Sequence, residues 1–223
     1  MSTSSKSSRE TTVHFLRHGE VYNPARIIYG RLPNYHLSER GHAMAELAAQ
    51  SLRNFPIGLV VSSPLERAQE TAQPVAATHN LPIYTDPRII EAQNSFEGHK
   101  FGQGQASLRN PATWKLIRNP FRPSWGEPYT HLATRMREAL HAAVEASHRL
   151  ADGADVVAVS HQLPIWELRL SVEGRRLWHD PRKRECGLAS ITSFTLRDHE
   201  IIAIAYSEPA AELYPGSTGG VGA

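Results

Sequence analysis

One cysteine stands in 223 residues, so no disulfide can form within the chain. That shortage excludes a small disulfide-stapled scaffold and fits a reducing, cytoplasmic compartment. Cys186 lies in Arg184-Glu185-Cys186-Gly187 without the second cysteine of a metal or redox pair, and it reads as structural or incidental. An excess of one charge is lacking too: 24 Lys and Arg face 22 Asp and Glu, a formal balance of +2. So small a balance implies no nucleic-acid partner. The local basic clusters Arg175-Arg176 and Arg182-Lys183-Arg184 read as solvated loop, with an anionic partner as the minor alternative. No apolar run approaches the ~18 residues needed to cross a membrane, so no membrane partner is expected. The Ser-rich stretch 1–10 lacks the apolar core of a secretory signal, and both it and the Gly-rich stretch 209–223 are expected to be flexible tails. Of His14, His18, His36 and His42 only His14 and His18 stand four apart, and they flank a strand-like run and not a helix; with no cysteine partner either, no metal and no cofactor are expected.

What is present is an alternation of strand-like and helix-like segments. Thr12 to Leu16, Gly58 to Ser62 and Val156 to Ser160 are short apolar runs of strand length. Ser38 is a candidate N-cap for a helix through about Arg53, and Ser63-Pro64 a candidate opening for a helix to about Asn80, with Pro74 inside it. Pro82 to Thr85 reads as a short strand. Leu132, Met136, Leu140 and Val144 recur at spacing four in a helix over about 130–152, closed by Gly153. Pro164 to Val172 reads as a further helix. Ala189 to Leu196 and Ile201 to Tyr206 read as strands that turn at Asp198-His199. Strands alternating with helices predict an α/β fold, a three-layer α/β/α sandwich with a mainly parallel central sheet. One domain over residues 11–208 accounts for the length. The stretch 92–129 differs in character: it carries Phe96, Phe101, Trp114, Phe121, Trp125 and Tyr129, with five basic residues against two acids, Glu97 and Glu127. It is expected to be a small inserted cap.

The chemistry-bearing residues gather at the ends of the strands. Arg17-His18-Gly19-Glu20 follows the first run, Ser62-Ser63-Pro64 with Arg67 follows the second, and Ser160-His161 ends the third. Strand ends of open α/β sheets form ligand crevices. An arginine fork holds phosphate oxygens, and a neutral imidazole beside it can attack phosphorus or move a proton. The ordered set also includes Asn23, Gly30-Arg31-Leu32, Leu37-Ser38-Glu39-Arg40-Gly41 and Thr71-Ala72. Together these resemble the histidine phosphatase superfamily, which includes the cofactor-dependent phosphoglycerate mutases.

The resemblance implies a set of roles. His18 is the expected nucleophile and forms a phosphohistidine; His161 completes the pocket. Arg17 and Arg67 bind phosphoryl oxygens, and Asn23 donates to the same group. Glu91 matches the family's acid, with Glu97 its rival and Glu127 a weaker candidate. The sequence also departs from the family pattern. Val21 replaces the usual threonine, Gln162-Leu163 the Gly-Gly pair after the second histidine, and Pro128 the serine after Gly126-Glu127. Gln162 is thereby a candidate substrate contact. The activity implied is a metal-independent phosphomonoesterase, a phosphoric monoester hydrolase acting on a small phosphorylated molecule. The alternatives are mutase-type phosphoryl transfer and a phospho-ligand-binding module with weak turnover. A homodimer is compatible with all three.

Overall fold

The computed structural model of the protein describes residues 10–100 and 126–214. Among these residues six strands form one sheet: β1 (Glu10–Arg17), β2 (Ile57–Ser62), β3 (Ile83–Thr85), β4 (Asp155–Ser160), β5 (Ile191–Arg197) and β6 (Glu200–Ser207), in the order β3-β2-β4-β1-β5-β6. The pairs β1–β4, β2–β4 and β2–β3 are parallel, while β5 is antiparallel to both β1 and β6. The sheet is mostly parallel, as expected, and its antiparallel part is the hairpin that turns at Asp198-His199, both at positive φ.

Among the described residues four α-helices cover the sheet: α1 (Glu39–Leu52), α2 (Glu66–His79), α3 (Tyr129–Leu150) and α4 (Gln162–Val172). Alternation along each strand sends neighbouring side chains to opposite faces. Val13, Phe15, Leu59, Val156 and Ala158 pack with α3 and α4. Leu16, Val60, Val157 and Val159 pack with the alanine-rich faces of α1 and α2. Two cores on opposite sides of one sheet are the three layers that the sequence pattern predicts. β4 is buried on both faces, which is why it reads as a continuous apolar run.

Two local expectations differ from the structure. Helix α2 begins at Glu66, with Leu65 as an N-cap that makes no side-chain cap bond; the Ser63-Pro64 opening belongs to the preceding turn. Pro74 sits inside α2 without ending it. At the other end of the chain, Ala210 is fully buried and Leu213 and Tyr214 pack on the α1–α2 core, so ordered structure runs past residue 208. Most of the expected cap, and the two tails over 1–9 and 215–223, lie outside the described residues. No helix among the described residues is long and apolar enough to cross a membrane.

Candidate active site

The parallel pairing of β1 with β4 sets Arg17 opposite Ser160 at the carboxyl ends of both strands. The next residues, His18 and His161, therefore emerge side by side; their ring centroids are 5.2 Å apart and both rings are buried. A rigid turn holds the first. A Cβ on Gly19 would land on the carbonyl oxygen of Gly41, and a Cβ on Gly41 would land on that of Glu20, so only glycine permits this approach. Glu20 secures the same junction: its main-chain oxygen accepts from Ser38 N at 2.9 Å and its carboxylate from Ser38 Oγ at 2.6 Å. Ser38 in turn caps α1 by accepting from Gly41 N at 3.0 Å. The Arg-His-Gly-Glu and Leu-Ser-Glu-Arg-Gly segments are thus two halves of one joint.

His18 Nδ1 lies 2.8 Å from the carbonyl oxygen of Gly19. A carbonyl only accepts, so Nδ1 carries the proton and the Nε2 lone pair is free. Burial first, then the charges of Arg67 and Arg17, hold the His18 imidazole well below its usual pKa. His161 is likewise held well below, by burial and then by Arg67. Its Nε2 pairs with Ser63 Oγ at 2.8 Å, the role that Ser63 takes instead of capping a helix, while its buried Nδ1 has no hydrogen-bond partner among the described residues.

Both arginines converge here. Arg17 Nη1 donates to the Cys186 carbonyl at 2.7 Å, and Arg67 Nη2 donates to the Gly30 carbonyl at 2.6 Å with its guanidinium 4.7 Å from the Tyr29 ring centre. Arg17 Nε, Arg67 Nε and Arg67 Nη1 are buried without a partner among the described residues. Neither guanidinium meets a carboxylate within ion-pair distance among the described residues. Buried donors with no acceptor are costly, and an oxyanion group would satisfy them together.

Glu91 follows a short 3-10 turn, Pro87–Ile89, which Ser160 Oγ ties to the end of β4 by donating to the Ile89 carbonyl at 2.7 Å. Its side chain is buried, and burial raises its pKa against the opposing pull of Ala92 N, Arg67 and Arg17. A carboxyl group in that condition can be protonated and donate. Glu97 is a brace for the loop: its Oε1 accepts from Arg31 N at 3.1 Å and Asn94 N at 3.2 Å. Glu127 is held ionised, well engaged by Arg135, His131 and Arg31, which lower its pKa against the effect of burial.

Asn23 and Gln162 are occupied within the protein. The Asn23 amide bonds twice to Ile27, at 2.8 Å through Nδ2 and 3.0 Å through Oδ1, which closes its own loop. Gln162 Nε2 donates to the Cys186 carbonyl at 3.2 Å, the same oxygen that holds Arg17. One residue was not legible as part of this region. Arg184 lies in a basic run that reads as solvent-facing, yet it lines a cleft with Gly30, Glu91, Tyr129 and Leu163. Among the described residues no group of three or more His, Cys, Asp or Glu is placed to hold a metal ion.

Comparison with known proteins gives a consistent result. The family model described as histidine phosphatase superfamily (branch 1) matches residues 13–208. An uncharacterized protein of Mycobacterium tuberculosis (strain ATCC 25618 / H37Rv) is 52% identical over 202 residues, covering 91% of this chain and 98% of that one. A protein named Probable phosphoglycerate mutase GpmB, from Yersinia pestis (strain Pestoides F), is 31% identical over 188 residues, 80% of this chain and 83% of its own. Among solved structures, a mycobacterial glucosyl-3-phosphoglycerate phosphatase superposes with a TM-score of 0.70 at 26% identity, covering 90% of this chain and 98% of that chain.

Proposed function

The chain belongs to branch 1 of the histidine phosphatase superfamily, and from that premise we propose that it hydrolyses a small phosphomonoester through a phosphohistidine on His18. One observation carries the reading: His18 Nδ1 donates to the Gly19 carbonyl, which leaves the Nε2 lone pair free beside donors of Arg17 and Arg67 that have no partner among the described residues.

In the first step Nε2 attacks phosphorus and the P–O ester bond breaks. Glu91 gives its proton to the departing oxygen, which leaves as an alcohol. The phosphoryl group now sits on Nε2, its oxygens held by Arg17 and Arg67, and by His161 Nδ1 when Ser63 Oγ–H donates to Nε2. In the second step Glu91, now a carboxylate, takes a proton from water. The water oxygen attacks phosphorus, the P–N bond breaks, and phosphate and neutral His18 are restored. Fixed positive charge does much of the work, because the equatorial oxygens gain charge in the transition state. Glu91 is favoured over Glu97 by burial and raised pKa, and over Glu127 by the three cations that keep Glu127 ionised.

The test is hydrolysis of 4-nitrophenyl phosphate with excess chelator. The wild type is expected to release phosphate and His18→Ala to lose about 10³-fold or more of kcat/KM. Turnover that survives in His18→Ala, or that stops with the chelator, overturns the reading. Mutase-type transfer has the likeness to the Yersinia pestis protein in its favour. It predicts phosphoryl exchange between positions of one substrate, strict need for a bisphosphorylated primer, and little free phosphate.

A further inference from the structure

Arg184 follows a short 3-10 turn, Pro181–Lys183, and its surroundings differ from those of its neighbour two residues earlier. Arg182 is exposed and ion-paired with Asp180 at 2.9 Å. Arg184 turns inward. Its Nε donates to His179 Nε2 at 2.8 Å, and its Nη1 faces Gln162 Oε1 at 3.4 Å. His179 can accept because its Nδ1 donates to the Leu177 carbonyl at 2.7 Å, and its ring is wedged between Tyr129 and Trp166, each 5.9 Å away centre to centre. A neutral acceptor therefore aims the guanidinium.

What Arg184 lacks is a counter-charge. Arg31, Arg88, Arg135 and Arg169 each contact a carboxylate, whereas Arg184 has none within ion-pair distance among the described residues. The two carboxyl groups that feel its charge are both pushed by burial toward the neutral form, Glu91 upward and Glu167 to about 8. A guanidinium stays charged even when desolvation lowers its pKa, so Arg184 carries its charge in a half-buried place with no carboxylate in direct contact among the described residues; Glu167 reaches it only through His179, whose Nδ1 lies 3.3 Å from Glu167 Oε1. Arg17 and Arg67 share that condition, and in the reading above they meet the scissile phosphoryl group. Arg184 lines the cleft on the Glu91 side, with Tyr129 and Leu163, where the rest of a substrate would lie.

We infer that Arg184 is a specificity-determining residue that binds a second anionic group of the substrate, a carboxylate or a further phosphoryl group, carried beyond the scissile ester. Gln162 and His179 are its positioning residues. The Cys186 carbonyl links the two ends of the site, accepting from both Arg17 and Gln162. The inference deepens the phosphomonoesterase reading and rests on it for the placement of the scissile group.

Binding of non-hydrolysable probes separates the two. Phenylphosphonate, its 3- and 4-carboxy derivatives and 1,4-phenylene bisphosphonate are titrated calorimetrically into wild type, Arg184→Lys and Arg184→Met. The wild type is expected to hold at least one dianionic-plus-anionic probe about tenfold more tightly than phenylphosphonate, the size of one charge-assisted contact. Arg184→Met is expected to abolish that ratio while binding phenylphosphonate within about threefold of wild type, and Arg184→Lys to keep part of it. Which probe gains more tells carboxylate from phosphoryl recognition. Equal affinity of the wild type for all probes, or an unchanged ratio in both variants, overturns the inference. Loss of catalysis in wild type, or its persistence in His18→Ala, overturns the phosphohistidine reading alone, because the binding ratio does not depend on turnover.

Discussion

At the scale of single residues, His18 and Glu91 are tuned in opposite directions by the same burial. Desolvation disfavours a charged imidazole and equally a charged carboxylate, so the neutral form of each gains. Attack requires His18 unprotonated, which holds above its lowered pKa. Donation requires Glu91 protonated, which holds below its raised pKa. The rate is expected to fall on the alkaline side as Glu91 ionises and on the acid side as His18 takes a proton. Glu91→Gln tests this through kcat/KM, which reports the phosphorylation step. For phenyl phosphate the variant is expected to lose about 10²–10⁴-fold, and its alkaline descent should vanish. For 2,4-dinitrophenyl phosphate, whose leaving group needs no proton, the loss should be slight. Equal losses for both esters would remove Glu91 from the acid role. The types and order of His18, Arg17, Arg67 and His161 are readable in the sequence. The inward turn of Arg184 is not, since a basic run carries no sign of which member has a histidine acceptor behind it.

At the scale of elements, the joint between β1 and the start of α1 decides where the nucleophile sits. Gly19 and Gly41 touch backbone to backbone, and Ser38 serves α1 and Glu20 at once. Gly41→Ala pushes a methyl group into the Glu20 carbonyl, which no rotamer can relieve. We expect a loss of about 2 kcal/mol or more, read as a fall of roughly 4–8 °C in Tm, with lower kcat as the Gly19 carbonyl shifts under His18. A variant with wild-type Tm and activity would show that the joint yields more easily than its geometry suggests. Ser38→Ala removes the cap and the bond to Glu20 together and should cost about 1–2 kcal/mol. Strands and most helices were legible because burial imposes period two or spacing four on the sequence. The start of α2 was not: Ser63-Pro64 has the composition of a helix opening, but Ser63 is drawn to His161, which lies 98 positions along the chain.

At the scale of the whole molecule, the site stores positive charge that the fold alone does not neutralise. Arg67 is fully buried, with two of its donors unpartnered among the described residues. A buried uncompensated charge is a cost, so Arg67→Met should leave the ligand-free Tm unchanged or slightly higher, although it removes a large side chain. Inorganic phosphate at 100 times its Kd should stabilise the wild type by about 2.7 kcal/mol, roughly 5–10 °C in Tm. That increment should disappear in Arg67→Met. A clear fall in the ligand-free Tm of the variant would instead make Arg67 a structural residue. The sequence by itself determined the α/β layering, the ordered motifs and the family, because hydrophobic period and local turn chemistry act over a few residues. Only the tertiary structure decided that Glu97 and Asn23 brace loops, that Glu127 is held ionised, that Gln162 serves the Cys186 carbonyl and that Arg184 enters the cleft. Each of those outcomes depends on partners brought in from other parts of the chain by strand register and by the packing of helices and loops around the sheet, and no local pattern encodes which partner arrives.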